Sequence, residues 1–447
     1  MLRSRIVLIA TCLALPLGAS AASEKPTLAE HLLEILRADG TISEEKYQEL
    51  RGLAVAERQA LDDVAANSDN DIRVGWKDGF YLENPKQHFK MQIGGRIQTD
   101  WATYDEESKV NQVLGLMDDI GSGTEFRRAR IFVKGQVTEN VNFKAEYDFA
   151  GGDADFNDVY LQFTDVPFVN KVTVGHFKEP FSLEELGSAK FLTFMERGLP
   201  NAFAPARNSG IMLNGNLWEE SVTWAIGGFR QTDDFGDGFG DSDYNVSARL
   251  TGSPVYRDEG REVLHLGLSS SYRFLSNEPV AFASVPESNL GPDYLDTGDI
   301  PADSVWLLNP ELAYVHGPFS LQAEYTYSSV DANSGSDPEF GGYYAYLSYF
   351  LTGEHRNYSR TNAIFGRVRP KQNFKRGGGW GAWEVAARYS HIDLDDEAIG
   401  GGELADWTLA INWYLNPFTR LMFNYIRADL EDAGDTNIFQ ARFQVDF

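Results

Sequence analysis

The chain has 447 residues, of which 43% are hydrophobic and 13% aromatic, and its formal net charge is −27. Its mean hydropathy of −0.34 excludes a bundle of membrane-spanning helices, because such a bundle needs several apolar runs of about 20 residues. We expect no nucleic-acid partner and no cofactor for a chain of this kind.

The N-terminus has the pattern of a secretory signal peptide. Arg3 and Arg5 precede an apolar stretch, and an A-x-A cleavage site ends at Ala21. The pattern predicts that residues 1–21 are removed. Cys12, the only cysteine, lies in this segment, so the mature chain would have no disulfide.

The next segment, residues 22–66, is predicted to be helical and periplasmic. Leu32 and Leu36 recur at helical spacing, and Gly40 ends the first helix. A helical hairpin fits this pattern, and self-association as a coiled coil is a second interpretation. Residues 67–87 are polar and are expected to form a linker.

From residue 88 to the C-terminus, apolar residues recur at every second position, whereas in the preceding helical segment they recur about every 3.6 residues. In "IFQARFQVDF" (438–447), for example, apolar residues alternate with polar or charged ones. We count about sixteen such segments, near 88–103, 124–137, 140–150, 155–164, 170–178, 209–218, 221–231, 244–253, 262–274, 305–316, 319–330, 341–352, 380–394, 405–416, 419–430 and 436–447.

These segments predict an all-β fold: a sixteen-stranded antiparallel transmembrane β-barrel over residues 88–447, preceded by the short periplasmic helical segment. Short turns alternate with long polar loops, and the last strand ends on an aromatic residue, Phe447. A soluble β-sandwich or propeller has similar alternation. The signal peptide and the aromatic-rich apolar faces favour the outer membrane of a Gram-negative bacterium.

Five motifs carry a resemblance to a known family: "FRRARI" (126–131), "KEPFSLEEL" (178–186), "TFMERGLPNAFAP" (193–205), "YFLTGEHRNY" (349–358) and "GGWGAWEVAARYS" (378–390). The sequence resembles the porin O/P family of phosphate- and polyphosphate-selective porins. The resemblance implies a homotrimeric barrel in contact with lipid and lipopolysaccharide. It also implies that small anions such as phosphate pass through the barrel, and that inward-folded loops narrow each pore.

The pleat of the first three strands assigns six basic residues to the lumen. If the apolar side chains of each strand face lipid, the inward cations are Lys90, Arg96, Arg128, Arg130, Lys134 and Lys144. A basic wall of this kind would attract anions. In the alternative interpretation, these cations pair with acidic loop residues and hold a loop in place.

The third external loop, residues 179–208, is too long and too apolar at its centre to lie in water. We predict that it folds into the barrel and forms a constriction. Its basic residues are Lys190, Arg197 and Arg207, and its acidic residues include Glu184, Glu185 and Glu196.

Strand parity places the connection at residues 353–379 on the periplasmic side, where turns are usually short. This connection has seven basic residues and one acidic residue, and five of the basic residues form a cluster, Arg367, Arg369, Lys371, Lys375 and Arg376. We predict that the turn folds into the lumen, as the family resemblance also suggests. A solvated basic loop that binds peptidoglycan or lipid phosphate is the alternative.

The fifth external loop differs from what a phosphate channel would need. No Lys or Arg occurs from Phe274 to Pro310, and the loop contains Glu278, Glu287, Asp293, Asp296, Asp299 and Asp303. Phosphate-selective members of the family use arginines near the external mouth, so this loop argues against a strict phosphate specificity.

Three other functions remain open at this stage. A weakly selective general porin would have the same fold. An outer-membrane hydrolase is a different class, although the sequence has no H-E-x-x-H, G-x-S-x-G or phosphate-binding glycine motif, and we expect neither catalytic residues nor a metal site. An envelope-tethering protein would act through residues 27–66.

Overall fold

The computed structural model describes residues 28–66, 72–152, 154–233, 235–238, 243–276, 279–396 and 398–447. The chain divides into a unit that ends at Asp71 and a unit that begins at Ile72. The predicted signal peptide lies outside the described residues.

The first unit contains two helices, α1 (Leu28–Ala38) and α2 (Glu44–Ala66). Ser43 caps α2, since its Oγ accepts a hydrogen bond from the backbone N–H of Lys46 at 3.3 Å. None of the helices in the described ranges is long and apolar enough to cross a bilayer.

The second unit is a closed antiparallel barrel of sixteen strands, which confirms the predicted fold class. The strands are β1 (Phe89–Glu106), β2 (Ser122–Thr138), β3 (Val141–Asp148), β4 (Asp155–Val166), β5 (Asn170–Lys178), β6 (Arg207–Leu217), β7 (Val222–Arg230), β8 (Tyr244–Arg257), β9 (Glu262–Phe274), β10 (Ala302–His316), β11 (Phe319–Ala332), β12 (Glu339–Phe350), β13 (Ala382–Asp396), β14 (Ile399–Asn416), β15 (Thr419–Leu430) and β16 (Gly434–Asp446). Each strand coincides with one of the sixteen alternating segments of the sequence.

The barrel closes where β16 pairs with β1. Gly95 donates to the carbonyl of Phe447 at 2.7 Å, and the Phe447 N–H donates back to the Gly95 carbonyl at 3.1 Å. A Cβ on Gly94 would lie 2.4 Å from the Phe447 carbonyl oxygen, so the close approach at the seam requires glycine there.

The range expected to be a linker is partly wrong. Residues Arg73–Trp76 and Phe80–Asn84 form a β-hairpin, and its second strand pairs with the start of β1. The prediction missed it because both strands are short and lie in a polar stretch. We call this element the N-terminal hairpin.

The two faces of the barrel wall differ as the pleat predicted. Ile97, Ile131 and Leu409 face outward and are 39%, 49% and 53% exposed, whereas Gln98 and Arg388 face the lumen and are buried. Alternation of this kind suits a wall with lipid on one side and a polar interior on the other.

One end of the barrel has short turns of two to four residues, except for one long turn, residues 351–381, between β12 and β13. The opposite end has the longer loops. The third loop (179–206) contains the short helix Leu183–Leu186, and the fifth loop (275–301) contains a two-stranded pair. The remaining short elements are α3 (Ser108–Val113), the 3-10 turns Pro85–Gln87, Ala150–Gly152, Leu199–Phe203 and Asp258–Gly260, α4 (Leu183–Leu186), and the strand pairs Ala283–Ser284 with Leu295–Asp296 and Asn357–Ser359 with Ile364–Gly366.

The third and fifth loops fold into the barrel and create a hydrophobic core inside it. Phe203 of the third loop packs on Phe282 of the fifth, with ring centroids 5.1 Å apart. Both belong to a buried cluster that includes inward-facing aliphatic residues of the wall, such as Val305, Ile392 and Ile438. Because this core fills the side of the lumen next to β10–β16, open space is left mainly beside β1–β7.

Candidate functional site

A cavity of about 280 Å³ lies between the inner face of β1–β6 and the third loop. We call it the basic chamber. Seven basic side chains line it: Arg96, Arg128, Arg130, Lys144, Lys178, Arg197 and Arg207. Three carboxylates also line it, those of Glu146, Asp158 and Glu185. The lining therefore has a formal excess of four positive charges.

On the wall side, three cations share the carboxylate of Glu146. Its oxygens lie 2.9 Å from Arg96, 3.3 Å from Arg130 and 3.1 Å from Lys144. Glu146 is buried, and alternate positions on neighbouring strands bring these side chains to one face. Arg130 also lies 2.6 Å from Asp148, so three cations meet two carboxylates and positive charge remains at this wall.

A second carboxylate joins the wall to the base of the third loop. Asp158 on β4 lies 2.5 Å from Lys144 and 2.7 Å from Arg207, the first residue of β6. Two cations again share one carboxylate. The pairing fixes the directions of both side chains at the edge of the chamber.

Two guanidinium nitrogens at the chamber have no hydrogen-bond partner among the described residues. They are Nη1 of Arg96 and Nε of Arg128, and both side chains are buried. A buried donor without a partner is costly, so these N–H groups need an acceptor such as water or an anion.

On the loop side, Glu185 lies 2.7 Å from Lys178 and 3.1 Å from Arg197. Arg197 also donates to the carbonyls of Glu184, Glu185 and Gly187 at 3.1–3.2 Å. Arg197 therefore holds the fold of the loop as well as lining the chamber.

Glu196, near the centre of the third loop, fastens the loop to the two strands that flank β1. It lies 3.0 Å from Arg127 and 3.8 Å from Arg128 on β2, and 2.6 Å from Arg442 on β16. Although burial opposes the charged form, these guanidinium groups hold the pKa of the Glu196 carboxyl well below its usual range. The loop-pinning interpretation of the inward arginines thus applies to Arg128.

Three arginines of β13, β15 and β16 donate to backbone carbonyls of the third loop. Arg388 reaches the carbonyl of Glu196 at 3.1 Å, and Arg420 reaches that of Leu192 at 2.6 Å. Arg442 donates to the carbonyl of Met195. These contacts satisfy loop backbone groups that water would otherwise solvate, which explains how an irregular segment can be buried.

Two further cavities adjoin the basic chamber. One, of about 410 Å³, shares Arg130 and Arg207 with it and extends towards the long-loop end. The other, of about 330 Å³, shares Lys178 with the chamber and reaches Thr361 and Asn362 of the long turn. The three cavities form a series along one side of the lumen, which we call the pathway.

The structure places the nine predicted wall and constriction residues in two groups. Arg96, Arg128, Arg130, Lys144, Arg197 and Arg207 meet at the basic chamber. Lys90, Lys134 and Lys190 do not. Lys90 and Lys134 are exposed on the inward face nearer the short-turn end, and Lys190 lies beside Asp446 in a separate small cleft.

The first half of the long turn packs inside the barrel, whereas most of the named basic cluster is exposed to solvent. Arg367 is largely buried, where it pairs with Asp446 and lies over the ring of Phe418 at 4.8 Å. The other four members are exposed, Arg369, Lys371, Lys375 and Arg376. They follow Val368, which belongs to a buried cluster with Phe350, Ala382 and Tyr414.

The part of the long turn that does enter the lumen carries two arginines that sequence analysis did not assign. Arg356 donates to Gln322 at 2.9 Å and lies 3.6 Å from the centre of the Phe365 ring. Arg360 donates to Ser221 at 2.6 Å. In "RNYSR", Arg356, Tyr358 and Arg360 occupy alternate positions, and this pattern could have placed both arginines on one face of the turn.

The acidic fifth loop also divides into two parts. Glu287 is buried and pairs with Arg388, whereas Asp293, Asp296, Asp299 and Asp303 are exposed at the long-loop end. Glu278 lies outside the described residues. We call the four exposed carboxylates the acidic rim, and this rim is separate from the basic chamber.

Residues 91–447 match the family model described as phosphate-selective porin O and P. The chain belongs to this family. Porin O of Pseudomonas aeruginosa is 28% identical to it over 422 residues, which cover 85% of this chain and 92% of that protein. An uncharacterized protein of Caulobacter vibrioides is 30% identical over 399 residues, covering 84% and 77%.

Solved structures support the porin fold. An anion-selective porin from Comamonas acidovorans matches with a TM-score of 0.51 at 14% identity, over 80% of this chain and 99% of that one. A loop-deletion mutant of Vibrio cholerae OmpT matches with a TM-score of 0.52 at 12% identity, over 80% and 100%. Family membership confirms that the chain is an outer-membrane porin of an anion-selective family.

Proposed function

We propose that phosphate and related small anions cross this porin through the basic chamber, along the pathway beside β1–β7. The observation that carries the proposal is the lining of the chamber, where seven cations meet three carboxylates, or five when Asp148 and Glu196 just outside it are counted. In addition, one nitrogen each of Arg96 and Arg128 has no partner among the described residues. Water alone would not require this excess of positive charge.

The chamber is confined, which strengthens its electrostatic effect. Two unit charges about 4 Å apart interact by about 1 kcal/mol in bulk water and by roughly 4 kcal/mol at the lower effective dielectric constant near protein. A multivalent anion gains more from this than a monovalent one. The fixed pairs Lys144–Asp158 and Arg207–Asp158 keep the cations in place without neutralising them fully.

The reversal potential across a salt gradient tests this proposal. The double variant Arg96→Gln/Lys178→Gln removes two cations of the chamber. Lys90→Gln/Lys134→Gln removes two inward-facing cations outside it and serves as the matched control. We expect a clear loss of anion preference in the first variant and a value near wild type in the second. Equal shifts in both would contradict the proposal.

A weakly selective general porin is the second candidate, favoured by the exposed acidic rim of the fifth loop. Asp293, Asp296 and Asp299 would repel a multivalent anion at the mouth. The same experiment distinguishes the two, because a weakly selective pore would give a wild-type reversal potential near zero.

We also propose a homotrimer in which the wall at β3–β7 faces the neighbouring copies. Strands β3, β5 and β7 have 8, 9 and 9 residues, whereas β1 and β14 have 18 each. A tilted strand needs roughly 9–11 residues to cross the hydrocarbon layer. The short strands are barely long enough to cross this layer. Contact with another copy would cover the apolar side chains on this face.

We propose that lipid, including lipopolysaccharide at the outer surface, covers the remaining outward wall. Aromatic side chains on the outside of the short-turn end include Phe168, Trp218 and Trp380, which are strongly exposed. Trp76 and Phe80 of the N-terminal hairpin continue this ring, since Phe80 pairs with lipid-facing Ile93. Aromatic girdles of this kind mark the edges of the apolar band in outer-membrane barrels.

For the N-terminal region, we propose a cleaved signal peptide at residues 1–21 and a periplasmic helical segment that tethers the barrel to the envelope. Deletion of residues 24–70 should weaken the envelope and leave conductance intact. Loss of conductance in a folded barrel would instead assign the segment to the pore. We further propose that the protein has no enzymatic activity, which an esterase assay on the purified barrel would test.

A further inference from the structure

The cavity of about 330 Å³ next to the basic chamber has a different lining, and we call it the amide cavity. Four side-chain amides and two threonine hydroxyls line it, from Gln162, Asn214, Asn216, Asn362, Thr223 and Thr361. None of the described residues that line it is acidic. Its volume falls in the range of small-molecule sites, roughly 300–1,000 Å³.

Three basic residues also line the amide cavity, but two of them are paired. Lys178 lies 2.7 Å from Glu185, and Arg249 forms a two-point ion pair with Glu311 at 2.7 and 2.9 Å. The third is Lys171, near the short-turn end of β5. Three cations therefore meet two carboxylates, and amides rather than cations supply most of the polar lining.

The buried atoms without a partner differ between the two cavities in the same way. In the basic chamber they are N–H donors of Arg96 and Arg128, which need an acceptor. In the amide cavity, Oδ1 of Asn214 has no hydrogen-bond partner among the described residues, and it needs a donor. The oxygens of a phosphate dianion are mainly acceptors, whereas each hydroxyl group of a polyol both donates and accepts. The amide cavity therefore suits hydroxyl groups better than it suits phosphate.

The long turn forms one side of the amide cavity, and contacts with the barrel wall hold it there. The hydroxyl of Tyr358 lies 2.7 Å from Nδ1 of His265, and the carbonyl of Ala363 accepts from Arg249 at 3.0 Å. Thr361 lies between these two attachments. The cavity is thus formed before a ligand enters, which lowers the free-energy cost of binding.

We propose that the amide cavity binds the hydroxyl groups of a phosphorylated polyol, so that this porin takes up organic phosphate esters such as sugar phosphates. This rests on the proposed function, because the phosphate group of the ester occupies the basic chamber. Tyr160, Leu186 and Met212 line both cavities and pack against the carbon skeleton. Lys178 also lines both, at the junction where the ester oxygen lies.

Block of single-channel chloride current tests the proposal on the full-length porin in a planar bilayer. The probes are inorganic phosphate, glucose 6-phosphate and cyclohexyl phosphate, which has a ring of similar size without hydroxyl groups. At mildly alkaline pH all three are mainly dianions, so charge does not distinguish them. We expect glucose 6-phosphate to block at a concentration about tenfold lower than the other two, which corresponds to about 1.4 kcal/mol, or about one net hydrogen bond.

The ratio of the half-blocking concentrations of cyclohexyl phosphate and glucose 6-phosphate is then compared among variants. Asn214→Leu removes the unpartnered acceptor, and Thr361→Val removes a hydroxyl from the long turn without changing a strand. Both should bring the ratio close to one. Asn142→Leu makes the first change at an inward position of β3 that lines neither cavity, and it should keep the wild-type ratio.

Equal block by the two esters in wild type, or a wild-type ratio in both Asn214→Leu and Thr361→Val, would overturn the proposal. If inorganic phosphate blocks and glucose 6-phosphate does not, the hydroxyl subsite is wrong and the passage of phosphate stands. If glucose 6-phosphate blocks with the expected ratio and inorganic phosphate does not, the subsite stands and the passage of inorganic phosphate is contradicted. Absence of block by all three probes would contradict both.

Discussion

Arg127 on β2 and Glu196 in the third loop form a two-point ion pair, with Nε–Oε1 and Nη2–Oε2 distances of 3.0 and 3.1 Å. The pleat alone would turn Arg127 towards lipid, because Arg128 faces inward. A β-bulge at this position, where Gln98 pairs with Arg128 and Thr99 with Phe126, leaves Arg127 as the extra residue and re-aims it. Two consecutive arginines can therefore reach the same loop.

The first prediction concerns this attachment. Glu196→Gln removes the carboxylate that Arg127, Arg128 and Arg442 share, and loss of one partner of a buried ion pair costs about 3–5 kcal/mol. We expect a mobile third loop, seen as increased noise in single-channel current. Glu139→Gln, an exposed carboxylate in a two-residue turn, is the control. Quiet recordings from a correctly assembled Glu196→Gln variant would mean that the loop is held by its backbone contacts alone.

The second prediction separates the two parts of the long turn. Lys371, Lys375 and Arg376 are exposed, and salt screens such charges over about 8 Å at physiological ionic strength. Changing all three to Gln should leave the reversal potential unchanged. Arg367→Gln should alter the conductance, because Arg367 pairs with Asp446 inside the barrel. A large shift in the triple variant would place the exposed half of the turn in the path of the anion.

The third prediction concerns the proposed trimer. Ile211 on β6 and Leu409 on β14 are outward-facing and about equally exposed, at 55% and 53%. A photo-crosslinker on a cysteine at position 211 should join neighbouring copies, because it lies on the wall with the short strands. The same group at position 409 should react with lipid only. The reverse pattern would assign the interface to the opposite wall.

Much of the fold was predictable because the two faces of every strand in a transmembrane barrel lie in different environments. Water or a polar interior on one face and lipid on the other impose a period of two on every strand, so all sixteen strands were found from alternation alone. The N-terminal hairpin was missed because its strands have only 4 and 5 residues. That length is too short for periodicity to distinguish a strand from a polar linker.

The candidate site was predictable only in part. Parity assigned Arg96, Arg130 and Lys144 to the lumen, but it does not give depth along the barrel, so Lys90 and Lys134 were grouped with them. Arg127 was missed because a bulge breaks parity at one residue. Lys178 is the last residue of β5, where the alternating pattern ends and gives no direction.

The hydrophobic core inside the barrel could not be predicted from the sequence, for a different reason. Ile392 and Ile438 face inward, against the expectation of a polar lumen, because the third and fifth loops cover them with apolar side chains. Which wall residues a folded loop touches depends on contacts between distant parts of the chain. The apolar centre of the third loop showed that it must be buried, but it did not show against which strands.

The most direct test of the account is phosphate block of single-channel chloride current. In wild type we expect phosphate to reduce the chloride current by occupying the basic chamber, and Arg96→Gln should weaken this block strongly because Arg96 is buried there with an unpartnered Nη1. Lys90→Gln removes one inward cation outside the chamber, and phosphate should block this variant as strongly as it blocks wild type. If phosphate blocks all three channels equally, or none of them, anions do not bind at the basic chamber and the central claim is wrong.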